Sequence, residues 1–301
     1  MSAPPRACPA RGAESGFVLP AVLAIMIVVS AAALVATERH RTRLAVAESQ
    51  TRSLRLQGLA DGAARLVATG FVLERTRGVA GLGLPRNGAS VACDLAGGRR
   101  LTLAVQDHAG LIDLNAAPRP LLETAFRALG LGDSDALTLA AEVLDYRDAN
   151  DDPEPNGGAE APQYAARALA YGPRNGPFTS VDEIERLPSL TADRAARLRN
   201  AVTVYNPGGG IDPALAPERA LVASVAGDGL RPYTARSSGQ YVEVRASVAD
   251  DHGRATRSAM VSAGGTGTGT LVLSWQPDGP EMAPGAPHPA CAALAAALIR
   301  P

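Results

Sequence analysis

A polar N-terminal stretch is followed directly by a long apolar run over residues 17–36, which reads FVLPAVLAIMIVVSAAALVA and holds no charged residue. A run of this length is enough for a helix to cross a lipid bilayer. Pro20 is tolerated close to the start of such a helix, because its missing N–H has no intrahelical role there. The pattern predicts an N-terminal membrane-spanning helix.

After the apolar run, the spacing of apolar residues changes from a helical pattern to an alternating one. From 37 to 76 no proline occurs and apolar residues recur at three- and four-residue steps, which predicts that the first helix continues as an amphipathic helix. A glycine-rich piece over 78–89 ends it. Alternating patterns then predict antiparallel strands, the first two joined by a turn at Gly97 and Gly98. The predicted strands cover residues 89–95, 100–106, 241–248, 257–263 and 270–275.

Between the two sets of strands, residues 110–204 predict a compact helical module. Apolar stretches are separated there by Pro, Gly and Asp. Ser180 is placed as a helix N-cap with Glu183 three residues later, as in a capping box, and Thr191 is placed as the N-cap of the next helix. The predicted helices cover residues 119–129, 135–147, 162–169, 181–187 and 192–202.

A possible processing site precedes the apolar run, where Gly16 is followed by Phe17. A secretory signal peptide would have a shorter apolar core, with its cleavage site after that core. Cleavage between Gly16 and Phe17 would remove a polar leader and leave the apolar segment as the mature N-terminus. The alternative is an ordinary membrane anchor with a chance glycine.

This layout resembles type IV pilins and the pseudopilins of type II secretion, in which a prepilin peptidase cuts after such a glycine. Most pilins carry a Glu five residues after the cut, and this chain has Ala21 there. A carboxylate in lipid is costly without a partner, and in pilins that partner is thought to be the N-terminal amine of a neighbouring subunit. The K-type minor pseudopilin is the family that typically lacks this Glu, and the resemblance implies a place at the filament tip.

Two further stretches resemble the K-type family. The segment from Asp107 to Pro118 resembles its D-x-x-G-x-I-D-L-N-x-x-P entry, and the segment from Phe178 to Pro188 resembles its F-x-S-x-x-E-L-x-x-x-P-G turn. The strand that ends at Trp275 resembles the closing strand of the family. The resemblance covers most of residues 16–275, through the order and spacing of its motifs.

The fold class that follows is α+β: a pilin-like long N-terminal helix packed on an antiparallel sheet, with an inserted helical domain that is SAM-like or helix-hairpin-helix-like. The last residues are rich in Pro and Ala, which favours disorder. The predicted parts are a leader over 1–16, a transmembrane half-helix over 17–37, a periplasmic amphipathic half over 38–76, a pilin-like core over 77–109 and 205–276, the insert over 110–204, and a disordered tail over 277–301.

Composition narrows the function without identifying it. The formal net charge is −1, so the chain as a whole gives no reason to expect nucleic acid or an anionic membrane surface as partner. The cysteines are Cys8, Cys93 and Cys291, without a C-x-x-C pair, which argues against zinc and thioredoxin-like chemistry. Cys8 belongs to the leader. Cys93 and Cys291 can form one disulfide in an oxidising compartment, or stay unpaired.

The charges that flank the apolar run do not agree with the resemblance. Arg39, Arg41 and Arg43 follow the run, whereas Arg6 and Arg11 precede it. Positive charges alone would therefore keep the C-terminal side in the cytoplasm. Large domains translocate despite such charges, and the resemblance implies an inner-membrane protein with a single pass and a periplasmic body.

The densest polar cluster of the chain is DYRDANDDPEPNGGAE over residues 145–160. Oxygen ligands on a loop suit Ca²⁺. The cluster copies the first three ligand positions of an EF-hand, but Pro153 replaces the glycine that an EF-hand loop requires. It resembles the D-W-x-D-x-D…G-A-E stretch of K-type pseudopilins, whose members bind calcium there, with Asn in place of one Asp. The alternative is a solvated acidic turn. The implied calcium ligands are Asp145, Asp148, Asn150, Asp152 and Glu160.

The resemblance implies assembly as the function, with the I- and J-type minor pseudopilins, other pseudopilins, the prepilin peptidase and the inner membrane as partners. No nucleic acid and no small-molecule substrate are expected. Close approach of two helices is easiest at small residues, so the predicted partner surface is the helix face around Gly58, Ala63 and Ala64.

A membrane-anchored helix-hairpin-helix protein that binds DNA, in DNA uptake or a type IV pilus system, is the alternative function. The hairpin over 187–191 lacks the glycine that brings backbone N–H groups to a phosphate. Asp182, Glu183 and Glu185 beside it would repel phosphates. An enzyme is not expected, since no G-x-S-x-G motif occurs and the histidines His40, His108, His252 and His288 are isolated.

Overall fold

The computed structural model describes residues 18–217, 231–263, 271–277, 279 and 282–299. The chain divides into two compact units, residues 1–54 and residues 55–301. Helix α1, Val18–Arg77, begins in the first unit and ends in the second. The predicted leader and the processing residues Gly16 and Phe17 lie outside the described residues.

The described part of the first unit is helical throughout. Within the described residues, α1 is the one helix that is long and apolar enough to cross a membrane. The amphipathic part of the helix that was predicted over 37–76 is not buried along its whole length, since Leu44 is 50% exposed and Leu54 is 66% exposed. Packing of α1 on the sheet begins at Leu56 in the second unit.

The second unit contains a five-stranded antiparallel sheet, in which the first, second, fifth, sixth and seventh strands of the chain lie side by side in that order. Gly97 and Gly98 both have positive φ, 76° and 69°, which is the backbone that a tight hairpin between the first two strands requires. The strands are β1, Asn87–Leu95, β2, Arg99–Asp107, β5, Tyr241–Asp250, β6, Gly253–Ser262, and β7, Leu271–Gln276. The sheet therefore joins segments from both sides of the insert, as the sequence predicted.

The inner face of the sheet packs on α1. Ala63 and Ala64 are fully buried in this core, together with Leu101, Val244 and Val261 from three strands. The prediction that Ala63 and Ala64 contact a partner is therefore wrong: small residues let α1 approach its own sheet. Of the predicted partner surface only Gly58 is exposed, and a Cβ atom there would meet nothing within 4 Å in the described structure.

The C-terminal segment, residues 282–299, is ordered against the sheet edge at β1. Ala286 N donates to Ser90 O, and Ala92 N donates to Ala286 O. Helix α6, Ala290–Ile299, follows, with Leu294 fully buried in the core. Cys291 is bonded to Cys93 on β1. The prediction of a disordered tail over 277–301 is therefore wrong for these residues, because burial and the disulfide hold a segment whose Pro and Ala content suggested disorder.

The insert has its own core, and its two ends meet in a short parallel pair, β3, Ile112–Asp113, with β4, Val202–Thr203. The predicted helix over 181–187 is a 3₁₀ helix, Val181–Arg186, in which the Ser180 Oγ accepts from Asp182 N. The remaining elements are α2, Arg119–Ala128, α3, Asp133–Arg147, α4, Ala161–Ala166, and α5, Ala192–Leu198. The α+β fold with an inserted helical domain is confirmed.

Candidate metal centre

The acidic cluster forms the connection between α3 and α4. Asp145 lies in the last turn of α3, Asp148 is the residue after that helix, and Glu160 is the residue before α4. Asp145 and Glu160 are both fully buried. The two carboxyl groups stand fifteen residues apart in the sequence, yet the charge of Asp145 acts on Glu160, which is not among the carboxylates whose oxygen atoms lie within 4.8 Å of one another.

The buried carboxyl groups have oxygen atoms without a hydrogen-bond partner. Asp145 Oδ1 accepts from Glu154 N at 2.9 Å. Oδ2 of Asp145 and both carboxylate oxygens of Glu160 have no partner among the described residues. An unpartnered buried carboxylate is costly, and a bound cation removes that cost. These oxygen atoms therefore fit a cation site better than a solvated turn.

The pKa values of the two buried carboxyl groups also favour a cation site. Burial raises the pKa of Asp145, and the charges of Asp148 and Glu154 raise it further against hydrogen bonds that lower it. Burial, followed by the charge of Asp145, raises the pKa of Glu160 to about 7. Both shifts express first the cost of burying a carboxylate and then the repulsion between neighbouring negative charges.

Three carboxylates converge on one point. Oxygen atoms of Asp145, Asp148 and Glu154 all lie within 4.8 Å of one another. Two oxygens bound to the same Ca²⁺ ion are at most about 5 Å apart, so one ion can reach all three. Glu154 was missed in the sequence, because its flanking prolines and its distance from Asp145 along the chain do not reveal that the loop folds back.

Two predicted ligands, Asn150 and Asp152, are exposed and take part in local turns. Asn150 N donates to Asp148 Oδ1 at 3.2 Å, and Asp152 N donates to Asn150 Oδ1 at 2.8 Å. The three-carboxylate group does not include Asp152. Their role as ligands stays a prediction.

Glycine and asparagine give the loop its shape. Asn156 and Gly157 have positive φ values, 69° and 107°, a region that asparagine and glycine tolerate. Gly158 is needed for a different reason, since a Cβ atom there would lie 2.3 Å from Asp145 Oδ2 and 2.5 Å from Glu154 N. The backbone can thus pass directly over the carboxylates.

Helix α2 also contacts the loop. Arg119, the first residue of α2, donates from Nη1 to Glu154 Oε2 at 2.7 Å and from Nη2 to Pro155 O at 2.6 Å. Its Nε donates to Glu123 Oε1 at 2.9 Å. Glu154 is therefore held both by α3, through its N–H, and by α2, through its carboxylate.

Other polar groups noted in the sequence have structural partners. Asp107 accepts from Ala109 N and from the Ser237 hydroxyl, whereas His108 Nδ1 lies 2.6 Å from Thr203 Oγ1. Asp107 and His108 are thus held by different partners, although they are neighbours in the sequence. Glu183 does not close the predicted capping box on Ser180. It accepts from the Tyr146 hydroxyl at 2.9 Å and from Thr179 N at 3.1 Å.

Comparison with known proteins shows similarity to a family model and to solved structures. The model of the family described as type II secretion system protein K matches residues 102–207, which span β2, the insert and β4. The chain is also similar to a chain of the GspK–GspI–GspJ complex from the type 2 secretion system of enterotoxigenic Escherichia coli. The two are 14% identical, with a TM-score of 0.55 over 80% of this chain and 100% of that chain. No curated protein matches the chain.

Proposed function

We propose that this chain is a member of the protein K family of type II secretion systems and acts as a minor pseudopilin at the tip of the pseudopilus. The observation that carries the proposal is the family match over the insert, residues 102–207, in a chain whose long helix packs on an antiparallel sheet. The likeness in fold to a chain of the GspK–GspI–GspJ complex supports it. Its function is assembly of the filament that exports proteins, and it is not an enzyme.

The tip position follows from the helix and from the insert. Ala21 stands where a pilin carboxylate would contact its neighbour, so this subunit lacks one contact that elongation uses. The insert adds a separate helical part with its own core. A subunit of this kind accepts a partner on one side and blocks addition of its own copies on the other.

The anchor and the disulfide support a location in the inner membrane with a periplasmic body. The N-terminal apolar helix fits a membrane anchor. Disulfides form in the bacterial periplasm and are rare in the cytosol, and Cys93 is bonded to Cys291. The partners are the I- and J-type minor pseudopilins and other pseudopilins, and the prepilin peptidase releases residues 1–16.

The tip role is tested by association. The full-length chain, purified in detergent, should be monomeric alone and should form a stoichiometric complex when the I- and J-type partners are co-expressed. Light scattering with size-exclusion chromatography measures both states. Filaments of this chain alone, or salt-dependent DNA binding without affinity for the pseudopilins, would overturn the proposal. The DNA-binding alternative has no support from the comparisons.

The loop over 145–160 is a calcium site in this proposal. Asp145, Asp148 and Glu154 converge, and the buried oxygens of Glu160 lack partners among the described residues, so these four supply carboxylate ligands. When bound, the ion neutralises the cluster and joins the end of α3 to the start of α4. Binding to the folded state alone raises its stability by mass action. Calcium should therefore raise the melting temperature relative to chelator, and Asp148→Ala should remove most of that gain.

A further inference from the structure

Arg119 is the only cation in the described structure that is hydrogen-bonded to one of the three converging carboxylates. Arg119 donates to Oε2 of Glu154, which leaves Oε1 as the oxygen that can turn toward an ion. The same guanidinium donates to Pro155 O, the next carbonyl along the loop. One planar group thus fixes both the rotamer of Glu154 and the path of the backbone that follows it.

The position of Arg119 is itself well determined. It is the first residue of α2, between Pro118 and Pro120, and its Nε is held by Glu123 one turn later. Its side chain is 22% exposed, and that of Glu154 is 35% exposed. Because α2 packs on the core of the insert through Leu121 and Leu122, the guanidinium is presented to the loop from a rigid element.

We infer that Arg119 is a positioning residue for calcium: it holds Glu154 in a monodentate geometry toward Asp145 and Asp148. The inference rests on the proposed calcium site. Groups that orient a metal ligand from behind raise metal affinity, and their loss typically weakens it by about 10–100-fold. The opposing effect is repulsion between a guanidinium and Ca²⁺. The orienting effect of the planar guanidinium outweighs this repulsion, because without Arg119 the half-buried Glu154 side chain is free to turn to solvent.

Calcium titration of the full-length chain in detergent, by calorimetry, tests the inference. Arg119→Gln should weaken the calcium Kd by about tenfold. In chelator its melting temperature should stay within about 3 °C of the wild type, since partly exposed ion pairs contribute little. Arg194→Gln is the matched control, because Arg194 lies on α5 and pairs with Asp135 in the first turn of α3, outside the loop. It should leave calcium affinity unchanged.

Two further variants separate positioning from charge. Arg119→Lys keeps the charge but cannot donate to Glu154, Pro155 and Glu123 from one planar group, so it should bind calcium as weakly as Arg119→Gln. In a Glu154→Gln background, Arg119→Gln should cause no additional loss, because the ligand that it positions is already impaired.

The outcomes distinguish this inference from the calcium site itself. A wild-type chain that binds no calcium would overturn both. A wild-type chain that binds calcium, with equal or tighter binding by Arg119→Gln, would overturn only the role of Arg119. Wild-type calcium affinity in Arg119→Lys would likewise contradict the role of the planar guanidinium, but it would not contradict the proposed calcium site.

Discussion

Gly158 lies directly over Asp145: a Cβ atom at Gly158 would be 2.3 Å from Asp145 Oδ2. The same Cβ would be 2.5 Å from Glu154 N and 2.6 Å from Glu154 O. No side chain fits at this position unless the loop moves away from α3. The contact therefore makes the backbone at 158 part of the proposed calcium site, although it supplies no ligand.

The first prediction uses this contact. Gly158→Ala should abolish calcium binding and the thermal stabilisation that calcium gives, because the loop must move away from Asp145. Calorimetric titration and melting curves with calcium and with chelator measure it. Gly172→Ala is the matched control, since a Cβ at Gly172 would meet Ala161 at an ordinary 3.8 Å. Wild-type calcium affinity in Gly158→Ala would contradict the proposed ligand geometry.

The second prediction concerns processing of the N-terminus. Co-expression with a prepilin peptidase should give a mature chain that begins at Phe17, and Gly16→Ala should slow or block cleavage, because the peptidase acts after the glycine. N-terminal sequencing and mass measurement of the purified protein check this. Cleavage after Ala36, or no cleavage by that peptidase, would be incompatible with a pseudopilin.

The third prediction concerns the partner surface of α1. Gly58 is the exposed member of the three predicted contact residues, so Gly58→Trp should weaken co-purification with the I- and J-type partners. The melting temperature should change little, because the new side chain meets no described atom within 4 Å of its Cβ. Ala63→Trp is the contrasting variant: it should destabilise the core by several kcal/mol through overpacking. If Gly58→Trp bound the I- and J-type partners as well as the wild type does, this face of α1 would not be the partner surface.

The fourth prediction concerns the disulfide. Cys291→Ser should lower the free energy of unfolding by about 2–5 kcal/mol, since a bond between residues 198 apart restricts the unfolded chain strongly. Denaturant titration measures the loss, and hydrogen exchange should show it first in α6. Cys8→Ser, in the predicted leader, should be without effect. Equal stability of Cys291→Ser and wild type would mean that α6 is held by packing alone.

The fifth prediction concerns pH. Burial lowers the pKa of His108 from 6.5 to about 4; the charge of Glu243 opposes this shift and that of Arg245 adds to it. Between these values the unfolded chain binds a proton that the folded chain does not. The contribution of His108 to stability is therefore intact above pH 6.5 and is lost as the pH falls toward 4, by about 3 kcal/mol in total. Denaturation midpoints across this range should fall less steeply for His108→Gln than for the wild type.

The sequence predicted the parts of the fold that depend on local pattern. The strands, the hairpin at Gly97 and Gly98, and the helices of the insert follow from periodicity and turn residues. The predictions were wrong or incomplete where tertiary contacts determine which residues lie together. Ala63 packs on the sheet of its own chain, and the spacing of small residues on a helix does not show whether they contact the same chain or a partner. Glu154 joins the acidic group only because the loop folds back onto α3.

The C-terminal segment has a consequence for the order of folding during the proposed export to the periplasm. Helix α6 follows every strand of the sheet in the sequence, yet Leu294 fills the core of that sheet, and Leu298 lies next to Gly62 on α1. The insert draws its core from residues 112–216 and can fold as soon as these have crossed the membrane. The core between the sheet and α1 is complete only with α6, which supplies Ala290 and Leu294 to it. A chain halted midway through translocation therefore presents a finished insert beside an open core, the state on which periplasmic chaperones and proteases would act.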